Sequence, residues 1–319
     1  MPAGTTSIAA RIAESAALQP DAPALSSFGR GWSYAQLAER TGRITGALAR
    51  LGVGPDKRLG LLLPPVPTAA MAAVAGLRLG AEVVPCDPLQ RDAALSARLH
   101  DIAGGVLVSL DLTRLQERWL TVLQDGGPDA VLVDKMAELL PFPRNLMAPL
   151  MRGGELAPIP RRPDTSALPR LLAAESARPG TLDSGADAVV VGADGRAHDD
   201  GDLVDAADAL LETAGGAGRW LLAHHIDDAW ALTALLAPLG AGREVVLLPR
   251  LDPRTVAAAA AHERPRVAVV SQAVAEALVQ TPPESGSLSL LVVPPQLSAD
   301  TAAALEQATG ARVAAWPGP

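Results

Sequence analysis

The sequence predicts an α/β fold in two halves, each a largely parallel sheet flanked by helices. Two observations predict it. Short apolar runs bounded by Pro and Gly alternate with segments of helical spacing along most of the chain, which is the rhythm of strand–helix–strand units. That rhythm breaks once, over residues 141–179, where Pro and Arg dominate. The break predicts a first α/β subdomain over 1–140, a connector over 141–179 and a second subdomain over 180–319.

In the first half, Ile8, Ile12 and Ala16 set a helix over 7–17. A short strand over 24–26 precedes a turn at Gly29, Arg30 and Gly31. Ser33 and Gln36 have the spacing of a capping box. They open a helix with Leu37, Thr41, Ile44, Leu48 and Leu51 on one face, ended by Gly52 and Gly54. Residues 58–63 form a strand that Pro64 and Pro65 stop, and 68–79 an apolar helix closed by Gly80. Strands over 82–84, 105–110 and 130–133 alternate with helices over 91–101 and 112–124. In the connector only 168–176 has a period of its own. The rhythm resumes with strands over 188–191, 220–223, 244–248, 267–270, 289–293 and 311–315. Helices over 201–214, 228–239, 253–262, 272–280 and 299–309 lie between them.

Composition narrows the function. The chain of 319 residues is ample for a large core. Its net charge of −8 argues against general nucleic-acid binding, which needs a basic surface. A single cysteine, Cys86, excludes an internal disulfide and any cysteine-built zinc site. Neither a signal-peptide pattern nor an apolar run long enough to span a membrane is present, so the expectation is a cytoplasmic protein. Lysine occurs only at Lys57 and Lys135, so lysine chemistry has two candidates.

Three segments carry a family resemblance. Residues 31–37 read GWSYAQL, 47–59 read ALARLGVGPDKRL and 76–89 read GLRLGAEVVPCDPL. In this order and spacing they resemble the N-terminal domain of the adenylate-forming acyl-CoA synthetase and ligase superfamily. Residues 139–150, LLPFPRNLMAPL, are similar to a segment of bacterial long-chain fatty acyl-CoA ligases. The pattern continues through 229–242 (AWALTALLAPLGAG), 249–253 (PRLDP), Leu297-Ser298 and 309–313 (TGARV). The resemblance implies the two-subdomain fold of the large domain of such ligases. It also implies a chemistry in which a carboxylate attacks ATP.

The residues that chemistry needs are altered. The family cradles phosphate in a Ser/Thr/Gly-rich loop ending in Lys-Gly. Residues 192–201 read GADGRAHDDG, with no Ser, Thr or Lys and three aspartates, which repel a polyphosphate unless a metal intervenes. At 292–296, VVPPQ replaces a glycine pair that approaches adenine, and proline removes N–H donors. At 315–319, AWPGP replaces an aromatic-Gly-x-Thr-Glu motif with its metal-binding Glu. The segments that would supply the family's ribose-binding Asp, hinge and C-terminal lid with its catalytic Lys have no counterpart in the sequence. By this comparison no catalytic or cofactor-binding residue is expected, and ATP and Mg binding are expected to be lost.

Other constellations remain. His198, Asp199, His225 and Asp228, with His224 and Asp227, follow strand ends and include metal-ligating types. Adjacent residues rarely ligate one metal, so capping by Asp227 or Asp228 in a solvated loop is the favoured reading. The acidic run Asp199, Asp200, Asp202, Asp205 and Asp208 reads as a helix start favoured by the macrodipole. Cys86 reads as a small buried residue, and Arg161-Arg162 as a surface pair. The stretch 141–150, with Phe142, Leu146, Met147 and Leu150, either folds back on the core or docks peripherally on a membrane or partner. The expectation is therefore a catalytically degenerate ligase-like protein that binds a protein partner or an acyl ligand such as a fatty acid in a lipid pathway. The alternative is a subunit of a split AMP-forming fatty acyl-CoA ligase, or an enzyme with altered chemistry at the His/Asp loops.

Overall fold

The computed structural model describes residues 7–151, 154–174, 188–192, 194–215, 218–283 and 288–319. Helix α1 (Ile8–Leu18) starts on Ser7, whose side chain accepts from the Ala10 amide. Strands β1 (Pro23–Ser27) and β2 (Arg30–Ser33) form a hairpin. Its turn is Phe28-Gly29, both at positive φ, where Gly29-Arg30-Gly31 was the expected turn. Two positive φ values in a two-residue loop match the right-handed twist of the flanking strands, so Arg30 and Gly31 are freed to pair. Helix α2 (Tyr34–Arg50) opens with the capping box of Ser33 and Gln36. Leu37, Thr41, Ile44 and Leu48 are buried as the pattern requires, while Leu51 caps the end, half-buried.

The chain then alternates through β3 (Arg58–Leu62), α3 (Pro67–Arg78), β4 (Glu82–Pro85), α4 (Asp92–His100), β5 (Val106–Leu110), α5 (Thr113–Leu123) and β6 (Ala130–Asp134). The connector is more ordered than expected. It holds α7 (Arg144–Met151), β7 (Thr165–Ala167) and α8 (Leu168–Ala174), after the short α6 (Met136–Leu139). Strand β7 pairs with β6 because the edge of β6 is otherwise open.

Next come β8 (Val189–Val191), β9 (Ala197–Asp199), α9 (Asp200–Ala214), β10 (Trp220–Ala223), α10 (Ala229–Gly240) and β11 (Val245–Leu247). The chain closes with α11 (Pro253–Glu263), β12 (Val267–Val270), α12 (Gln272–Gln280), β13 (Leu290–Val293), α13 (Ala299–Thr309) and β14 (Arg312–Ala315).

Two mostly parallel sheets result, ordered β14-β13-β12-β10-β11-β1-β2 and β7-β6-β5-β3-β4-β8-β9. They do not follow the boundaries read from the sequence. The first hairpin joins the sheet built from the second half, and β8–β9 completes the sheet of the first half. In each sheet an antiparallel hairpin strand finishes a parallel edge, which shields it from other chains.

The core joins both sheets. Helix α3 is buried on all sides and touches β3 and β4 of one sheet and β1 of the other. Its Ala-rich sequence permits that close approach. A Cβ at Gly76 would meet Leu59 Cδ2 at 2.6 Å. Helix α10 is also apolar all round and buried. In β10, Trp220 and Leu222 face this central core, while Leu221 and Ala223 face a second cluster with α11, α12 and α13. Strands buried on both faces read as continuous apolar runs, which is why they were legible.

Candidate functional site

Open α/β sheets present ligands at the carboxyl ends of their strands. Here the ends of β4, β5, β10, β11 and β12 converge from both sheets on a cleft of about 810 Å³. Phe28, Leu112, Leu115, Met136, Leu251 and Val274 give it a largely apolar wall. Asp87, Arg114, Glu155, His225, Arg250 and Asp252 are its charged or titratable members. Arg250 Nη2 lies 3.2 Å from Glu155 Oε1. That pair ties the loop after β11 to a segment held on the other sheet by Thr113 N–H donating to Glu155 O at 2.9 Å. Both side chains are more than half exposed, so the pair contributes little energy. Its location marks the mouth.

A second pocket, of about 310 Å³, lies behind the segment His224–Asp228 (224–228). It collects the three altered stretches of the sequence: Gly192, Asp194 and Arg196 from the first, Pro294 and Pro295 from the second, and Pro317 from the third. Three donors of the turn after β8 are satisfied within it. Gly192 N donates to Arg196 O at 2.7 Å, Gly195 N to Gly192 O at 3.0 Å, and Arg196 N to Asp194 Oδ1 at 2.9 Å. The following helix is capped in the same self-contained way. Asp199 accepts from Asp202 N, and Asp202 accepts from Asp199 N. Three carboxylates, those of Asp199, Asp200 and Asp202, thus occupy the positive end of α9.

The rings of His224 and Trp230 also line this pocket. His224, Trp230 and Trp316 stack in series with ring centroids 4.9 Å apart. Trp230 Nε1 donates to Trp316 O at 2.8 Å. His224 Nδ1 is 2.6 Å from His225 O, so that nitrogen carries the proton. Burial pushes the His224 pKa down and keeps the ring neutral. Burial, helped by the charges of Asp228 and Asp87, pushes the Asp227 carboxyl up to about 7. The 3.6 Å approach of His224 and Asp227 is therefore a contact between a neutral ring and a carboxyl that is about half ionised near pH 7.

The structure separates the four candidate residues. His198 is buried with Nδ1 unpartnered and faces the small pocket, as does Asp228. Asp228 also caps α10, accepting from Ala231 N at 2.7 Å. Asp199 is a helix cap, and His225 faces the large cleft instead. Among the described residues, no three His, Cys, Asp or Glu side chains gather as a metal site. Cys86 is fully buried, and burial pushes its thiol up to about 12, which leaves it protonated and inert. Arg162 pairs with Asp164 at 2.8 Å and Arg161 is exposed. Sequence reasoning missed Asp87, Arg114 and Arg250. The signal for Asp87 and Arg250 was available: each stands just past the carboxyl end of a parallel strand.

Comparison with known proteins agrees with this frame. Residues 12–149 match the family model of AMP-binding enzymes. Surfactin synthase subunit 1 of Bacillus subtilis (strain 168) is 28% identical over 130 residues, 41% of this chain and 3% of that protein. The long-chain-fatty-acid–CoA ligase of the same organism is 26% identical over 142 residues, 44% of this chain and 24% of the ligase. The fold extends further. A benzoate CoA ligase from Burkholderia xenovorans LB400 superposes with a TM-score of 0.78 at 17% identity, covering 97% of this chain and 60% of that one. The chain is thus similar in sequence to AMP-binding, adenylate-forming enzymes, and it carries the fold of the N-terminal domain of acyl-CoA ligases. It spans less than two thirds of the length of each of these relatives.

Proposed function

We propose that this chain binds an acyl-type ligand in the large cleft and does not adenylate it, acting in an acyl or lipid pathway by binding. One observation carries the reading. Three N–H groups of the turn after β8, those of Gly192, Gly195 and Arg196, are taken up inside the turn, beside Asp194 and an acid-capped helix. Charge stabilisation by free donors, lysine or metal is the main source of rate in such chemistry. The small pocket holds a polyphosphate poorly: Asp194 and Asp228 face it and repel phosphate unless a metal intervenes, and Pro294 and Pro295 offer no N–H. The larger cleft retains both volume and an apolar wall, the usual traits of a small-molecule site.

The test is thermal stability of the purified chain with Mg-ATP and, separately, a long-chain fatty acid. A ligand at 100 times its dissociation constant stabilises by about 2.7 kcal/mol. The expected result is a shift with fatty acid and none with Mg-ATP. A clear Mg-ATP shift, or pyrophosphate release, overturns the reading and returns the chain to the ligases. No response to either moves the search to protein partners.

A further inference from the structure

Just after α6, whose Met136 lines the cleft, the chain exposes a run of large apolar side chains. Phe142, Leu146 and Met147 are 79%, 68% and 47% exposed. They account for three of five such residues among those described, and a fourth, Leu89, lines the cleft itself. Side chains of this kind are normally inside, and clustered exposure marks an interaction surface. Helix α7, which carries Leu146 and Met147, packs on α6. It is tied to the cleft at both ends. Met136, which opens α6, is part of the cleft wall, and Glu155, shortly after α7, sits at the mouth with Arg250.

Charge in this region opposes that of the whole molecule. Residues 141–170 contain Arg144, Arg152, Arg161, Arg162 and Arg170 but only Glu155 and Asp164 as acids, in a chain of net charge −8. Arg144 stands exposed between Phe142 and Leu146 in sequence. Three side chains present a few hundred Å² at most, against the roughly 1,200 Å² that a stable protein interface buries. A few inserted apolar groups with flanking arginines do suffice for reversible attachment to an anionic bilayer.

We infer that the tip over residues 142–147 docks on an anionic bilayer and sets the cleft mouth at the lipid surface. Docking needs no ligand in the cleft, so it stands or falls apart from the function proposed above. A bilayer is also where an acyl-type ligand would be most concentrated.

The test is co-sedimentation of the full chain with phosphatidylcholine vesicles, with and without phosphatidylglycerol and with no fatty acid added. Binding is expected with the anionic vesicles, weakened by added salt. The double variant Phe142→Ser/Leu146→Ser is expected to raise the lipid concentration for half-binding by at least about tenfold. Arg144→Glu is expected to raise it by about fivefold or more. All three sites are exposed, so unchanged melting of the variants checks that the fold is intact. The double variant is also expected to keep its fatty-acid shift. Failure of the wild type to sediment with anionic vesicles overturns the proposal, as does equal binding by the double variant. A wild-type dimer that becomes monomeric in the double variant would assign the tip to a second copy of this chain and overturn it as well.

Discussion

Asp227 shows how one buried carboxyl can cost stability. Its pKa is pushed up to about 7 by burial and by the neighbouring charges of Asp228 and Asp87. A carboxyl whose folded pKa exceeds its unfolded value binds protons more tightly when folded. Its favourable contribution is complete below about pH 4 and is lost as pH rises through about 7. Asp227→Asn removes the ionisation. The variant is expected to match the wild type at pH 4 and to exceed it at pH 8 by about 1–2 kcal/mol, allowing for residual solvent contact. Urea melts at the two pH values check this, and equal stability at pH 8 refutes it.

Asp134 is the opposite case. It is fully buried, but Arg40 Nη2 donates to both its oxygens at 3.1 and 3.0 Å, and Lys135 N donates at 2.9 Å. The Thr68 hydroxyl donates to it too. This joins α2, α3 and β6 through one carboxylate. Asp134→Ala leaves the Arg40 charge and the Thr68 hydroxyl without their acceptor. The expected loss is about 3 kcal/mol, the low end for breaking a buried pair because Arg40 still meets water. A denaturation midpoint unchanged from wild type would contradict it.

At the scale of elements, Gly105 decides how β5 begins. A Cβ there would stand 2.3 Å from the carbonyl oxygen of Arg58, on the neighbouring strand β3. Backbone cannot yield as a side-chain tip can, so Gly105→Ala is expected to destabilise by about 1–3 kcal/mol, measured by thermal melting. Elements of this kind were readable because Pro and Gly bound them and apolar residues fill them. Trp220–Ala223, Val267–Val270, Gln272–Gln280 and Ala299–Thr309 lie where the pattern put them. Strand β2 was hidden because Phe28 takes a positive φ, which its side chain does not advertise. Strand β7 was hidden because Thr165, Ser166 and Ala167 have no apolar alternation, and pairing with β6 alone defines them. The small pocket was legible as three altered stretches, since each departs from a family motif. The large cleft was not. Its wall combines residues as distant as Phe28 and Ala277, and no local pattern states which strand ends will meet.

At the scale of the molecule, two separate pockets lie at the strand ends. The large cleft is lined by Met136 of α6, while the small one is lined by His224 and Trp230. Ala277 lines the cleft from α12 and is half-buried, so a larger side chain there fills cavity rather than core. Ala277→Phe is expected to keep the melting temperature of the free chain and to weaken the fatty-acid response by tenfold or more, on the order of 1.4 kcal/mol. A full response in that variant would place the ligand elsewhere.

The exchange of hairpins between the sheets reaches beyond the finished fold. Leu25 in β1 pairs with Val245 in β11. During synthesis at roughly 5–20 residues per second, the first hairpin waits on the order of 10–40 s for the strand it adds to. The sheet that starts with β3 waits likewise for β8, because Val83 pairs with Val190. Such long-range pairing makes folding slow, since loop closure must precede reward. Severing the chain within the connector would leave each piece with an unfinished sheet edge. The two pieces are then expected to aggregate when expressed apart, and to recover a soluble, cooperative fold only when made together.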